Sequence, residues 1–103
     1  MNHLNSVILE GVVSEGINTE GVFYVDTTRY EKVGDNKIEI KTKVKCLVVG
    51  SMFVSLCEKI TVGRGVRIVG RLSDIGGVVG LFAEHIEFKL DVIRDGKYNF
   101  RND

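Results

Sequence analysis

Lys37, Lys41, Lys43 and Lys45 recur at two-residue spacing, with Glu39 breaking the series once. Ile38, Ile40, Val44 and Cys46 fall between or beside them. Successive side chains of a strand point to opposite faces, so this stretch has one cationic face and one apolar face. Ammonium groups crowded on one face repel each other unless something anionic lies over them. A polyanion is therefore the first ligand class to consider. The alternative is the solvated face of a two-sided sheet, with lysine there for solubility.

Net charge is zero over the 103 residues, but its distribution is uneven. Residues 1–28 carry Glu10, Glu15, Glu20 and Asp26 and no lysine or arginine. Residues 29–71 carry ten basic residues against four acidic ones. Residues 72–103 carry six acids and four bases. Sign asymmetry of this kind is informative where net charge is not. Catalysis has little support. His3 and His85 are far apart, there is no paired-cysteine metal spacing, and Gly63-Arg64-Gly65 reads as a turn rather than a phosphate cradle. No enzyme activity, cofactor or metal is expected.

The elements that must carry the lysines follow from the pattern around them. A chain of this length is one domain. Ser6–Val13 is apolar and β-branched and reads as a first strand. Residues 21–30 alternate, with Phe23, Val25 and Thr27 opposed to Tyr24, Asp26, Thr28 and Tyr30. Val33-Gly34-Asp35-Asn36 is a turn cluster, so this second strand and the lysine strand (37 to about 49) form a long hairpin. Gly50-Ser51 stops the strand, and Ser51 is the expected helix N-cap. Met52, Phe53, Leu56 and Ile60 keep helical spacing, which predicts a helix over 52–60. Val66, Ile68, Gly70 and Leu72 alternate with Arg67, Val69 and Arg71 as strand four. Asp74-Ile75-Gly76-Gly77 turns into a fifth strand, residues 79–88.

The order β-β-β-α-β-β predicts an all-β fold with one helix, the five-stranded Greek-key barrel called the OB-fold. Gly11 and Gly70 suit its tight bends. Val7, Leu9, Val25, Val44, Val48, Leu56, Ile68 and Leu72 should be buried. Residues 1–88 are read as the domain and 89–103 as an extension, either a short strand (or a hairpin through Asp95-Gly96) or disordered. Two cysteines and no secretory leader argue for reduced thiols in a cytoplasmic protein. No apolar run approaches a membrane span.

Gly50-Ser51-Met52, Leu56, Ile60, Gly63, Val66 and Val69-Gly70-Arg71-Leu72 resemble the bacterial single-stranded DNA-binding proteins. In that family a strand ends in Gly, enters a helix and returns as a Val-x-Val-x-Gly-Arg-Leu strand. Asn5-Ser6-Val7-Ile8-Leu9-Glu10-Gly11 resembles the family's first strand, and Ala83-Glu84-His85-Ile86-Glu87-Phe88 its last. The resemblance covers about residues 4–88. It departs at Val49, where the family has an aromatic, and at the short loops. The family's long linker and acidic, apolar tip are not found after Phe100. A short, tail-less form is also similar to PriB-type primosomal proteins, dimeric relatives of the same family. The resemblance implies a homodimer or homotetramer built through the first strand, and association with the nucleoid.

Binding a single strand without reading its sequence needs a cationic groove and flat surfaces for stacking. The groove candidates are Lys37, Lys41, Lys43, Lys45, Arg67, Arg71 and Arg29, with Lys32 in the same basic region. The stacking candidates are Tyr24 and Tyr30, for which a packing pair or a subunit contact is the alternative. Phe23, Phe53, Phe82 and Phe88 are expected in the core. Two functions remain open. One is a sequence-tolerant binder of single-stranded DNA in replication, recombination or repair. The other is a PriB-like assembly subunit that acts mainly through protein contacts with replication or recombination proteins and binds DNA weakly.

Overall fold

A computed structural model describes residues 3–89 and 100–102. The elements are β1 (Val7–Glu15), β2 (Val22–Val33), β3 (Asn36–Leu47), α1 (Gly50–Leu56), β4 (Gly65–Ile75), β5 (Val78–Lys89) and β6 (Phe100–Asn102). Neighbours run β3-β2-β1-β4-β5, and β3 closes the ring by pairing with β5 at Cys46–Leu81 and Leu47–Phe82. This is the expected five-stranded barrel with its helix between the third and fourth strands. β6 pairs antiparallel with the end of β5. The expected Asp95-Gly96 hairpin lies outside the described residues.

Alternation builds the core. Val13, Phe23, Val25, Cys46, Ile68, Ile86 and Phe88 point inward from five strands, and Leu56 closes one end from α1. Burial pushes the Cys46 thiol up to about 12, so it stays neutral and acts as a small apolar filler. At Gly11 a Cβ would overlap the carbonyl oxygen of Asp26, and at Gly70 that of Phe82. The strands approach closely at both points, which only glycine permits.

The structure corrects several sequence expectations. α1 starts at Gly50 and ends at Leu56, so Ile60 is buried from the following turn rather than from the helix. Ser51 does not cap it. Val49 holds the cap position in extended conformation, and Gly50 at φ +64° turns the chain directly into the helix. Val7, Leu9 and Val44 are half-buried and pack against the core rather than within it. Phe53 and Phe82 are likewise half-buried. Leu72 is 52% exposed. Its backbone exchanges two hydrogen bonds with the Asn5 side chain, and among the described residues its own side chain lines an open hollow.

Candidate nucleic-acid interface

The β2–β3 register decides which side chains share a face. Tyr24 lies opposite Lys45, Asp26 opposite Lys43, Thr28 opposite Lys41, Tyr30 opposite Glu39 and Lys32 opposite Lys37. Both tyrosines therefore stand on the lysine face. Arg29 lies opposite Ile40, on the reverse face, where it pairs with Glu31 at 3.0 Å. Period two places it there, and the register removes it from the lysine groove.

The lysines are not equivalent. Lys37 stands over the Tyr30 ring, 4.5 Å from its centroid, and Lys43 over the Tyr24 ring at 5.4 Å. Both are cation–π distances. Lys43 also pairs with Glu15, and that hydrogen bond raises its pKa. Lys45 is half-buried and donates from Nζ to the Ile75 carbonyl oxygen at 2.9 Å. Lys32 and Lys41 are exposed and make no ion pair among the described residues.

The two strand-four arginines have acid partners on β1 and β5. Arg67 is paired with Glu10 at 2.7 Å and Glu87 at 3.7 Å, across the β1–β4–β5 face. Arg71 is exposed and lies 3.2 Å from Glu84. Neither lines the hollow beside Tyr24 or the hollow beside Tyr30. Among the described residues no cluster of three or more His, Cys, Asp or Glu is placed to hold a metal.

Two hollows flank the lysine face. One, about 500 Å³, opens where β3 and the β4–β5 hairpin part, and Tyr24, Lys43, Lys45, Leu72, Val78 and Val79 line it. The other, about 360 Å³, lies at the hairpin tip between Tyr30, Lys32, Asp35, Asn36 and Lys37. Sequence reasoning missed the apolar wall of the first. Leu72 reads as core by alternation, and Val78 and Val79 are ordinary strand residues. Only the closure of β3 onto β5 brings them beside Tyr24.

No protein-family model and no curated protein matches this chain. Solved structures do. The SSB of Plasmodium falciparum, solved in complex with single-stranded DNA, superposes with a TM-score of 0.68 at 18% identity, over 88% of this chain and 98% of that one. PriB from Ralstonia solanacearum gives 0.62 at 16% identity, over 84% and 98%. A deletion mutant of the single-stranded DNA-binding protein of Thermus aquaticus gives 0.68 at 17% identity, over 93% of this chain and 54% of that one. The chain has the OB fold of SSB and PriB structures.

On this OB barrel the tyrosines and lysines occupy one face of the β2–β3 hairpin, with the β4–β5 hairpin as a side wall. Val49, the departure from the resembled pattern, is 46% exposed and offers no stacking ring. Among the described residues, the rings of this face are therefore those of strand two.

Proposed function

We propose that this protein binds single-stranded DNA with little sequence preference, in replication, recombination or repair. The observation that carries the reading is the pairing of each outward tyrosine with a lysine on one hairpin face, each beside a hollow. A ring takes the face of any base, and an ammonium takes a phosphate without reading the base. Fold likeness to an SSB solved with single-stranded DNA supports the same reading. Residues 1–88 form the binding unit, and the protein acts in the cytoplasm on the nucleoid, without catalysis.

The protein acts as a homodimer or homotetramer. β1 pairs with β4 from Val7 to Val12 but meets β2 only from Val12 onward. Among the described residues its first half therefore keeps a free edge, beside Leu4 and Ile8, which are 99% and 70% exposed. A free edge with apolar neighbours fits pairing with a second copy. The N-terminal domain of a PriB from Thermoanaerobacter tencongensis was solved as a dimer. Sedimentation at micromolar concentration should show no monomer, and a monomer would remove this part of the proposal.

Fluorescence titration with an oligo-dT of several tens of nucleotides tests the binding. Affinity should fall steeply as salt rises, because each neutralised phosphate releases counterions. No binding at low salt would overturn the reading. It would favour the PriB-like assembly subunit, to which the ion-paired Arg67 and Arg71 and the exposed Val49 are better suited.

A further inference from the structure

The two ring–ammonium pairs are copies of one arrangement. Tyr24 faces Lys45 across the hairpin, and the ammonium above its ring comes from Lys43, two residues toward the tip. Tyr30 faces Glu39, and the ammonium above its ring comes from Lys37, again two residues toward the tip. A twisted two-stranded ribbon brings the same diagonal neighbour over each ring. The unit thus repeats after six residues on each strand. The hollow beside each ring leaves room for a base. Between the two units the face carries Asp26, Thr28, Glu39 and Lys41, and no aromatic ring.

We propose that these are two separate stations for one DNA strand, gripping bases at the two ends of a span and leaving those between unstacked by protein. The proposal rests on the single-stranded DNA reading above. Six residues of antiparallel strand cover about 20 Å. A strand stacked as in B-form rises about 3.4 Å per nucleotide, which gives about six steps. Stretched to twice that rise, it needs about three. The bridging length is therefore about four to seven nucleotides, within the range of roughly 4–16 for one OB fold. An oligonucleotide too short to bridge uses one station at a time. One long enough gains the second station within the same molecule, at high effective concentration.

Affinity measured against oligo-dT of two to ten nucleotides should show a step of at least about 10-fold on reaching the bridging length. Tyr30→Ala should remove the step and Tyr30→Phe should keep it. A second measurement leaves the protein untouched. At the shortest bridging length, an abasic residue at either end should weaken binding about five-fold or more, the low end of single-base stacking. An abasic residue in the interior should change it less than about two-fold. Smooth growth with length, or equal sensitivity at interior and end positions, would overturn the two stations while leaving single-strand binding intact. No binding at any length, including several tens of nucleotides, would overturn both.

Discussion

The barrel half of the β2–β3 hairpin and the half beyond it share one register and one lysine-bearing face. Residues 22–27 and 42–47 lie against the core, where Phe23, Val25 and Cys46 are fully buried. Among the described residues, 28–33 and 36–41 have no third strand, because β1 pairs no further than Asp26 and β5 joins β3 at Cys46 and Leu47. Nearly every side chain out there is exposed. The cations follow the same division. Near the barrel, Lys43 has Glu15 and Lys45 has the Ile75 carbonyl. On the arm, Lys32 and Lys37 lie directly opposite each other and Lys41 has no acid partner among the described residues. Like charges directly opposite are destabilising, and a two-stranded ribbon is marginal alone. Lysines of one strand face thus do two jobs. Those near the barrel are held by the protein, while the arm gains most from an outside anion.

The largest expected contrast is in stability. Phe23→Ala should cost about 3–5 kcal/mol, as large-to-small changes in a packed core do. Ile38→Ala, at an apolar position of the arm that is 43% exposed, should stay within about 0.5 kcal/mol. Urea unfolding of both variants checks this. A cost at Ile38 approaching that at Phe23 would mean that something packs on the arm, a second copy included.

Binding supplies the next contrast. Replacing Lys32, Lys37 and Lys41 together with Ala should leave the fold intact. It should flatten the dependence of log affinity on log salt by about 2, from roughly 0.7 per phosphate contact on a single strand. Affinity at low salt should fall roughly ten-fold or more, because those three contacts are gone. An unchanged slope would move the DNA off the arm altogether.

The sequence carried the fold further than the site. Strand alternation, the Gly34-Asp35 turn and the spacing from Gly50 to Gly70 are local signals, and they were enough to order the barrel. Two-residue periodicity also put Tyr24 and Tyr30 on the lysine face, because a hairpin with a fixed turn has a fixed register. The same periodicity should have excluded Arg29, whose face is set by Ile40 across the ribbon. Other features depend on contacts distant in sequence. Arg67 reads as a free cation until β1 brings Glu10 alongside and β5 brings Glu87. Leu72 reads as core, but the fold leaves it 52% exposed. Lys45 and Ile75 are thirty residues apart, and nothing local to either marks their bond.

That bond gives the smallest effect and the finest test of the division between the two halves. Lys45 reaches from β3 to the carbonyl of Ile75 where the β4–β5 hairpin turns, and so ties one wall of the Tyr24 hollow to the barrel. Its ammonium is half-buried, and one of its three donors is spent on that carbonyl. Lys45→Met keeps the apolar stem and removes the donor. It should lower stability by about 1 kcal/mol, the usual net worth of one hydrogen bond. Amide exchange should quicken around residues 74–78, since the turn loses its tether. The salt slope for oligo-dT should stay as in the parent protein, in contrast to the arm triple. If the slope instead falls by the roughly 0.7 of one phosphate contact while exchange in the turn is unaltered, Lys45 belongs to the DNA-facing set. The lysine stripe would then act as one surface from barrel to tip.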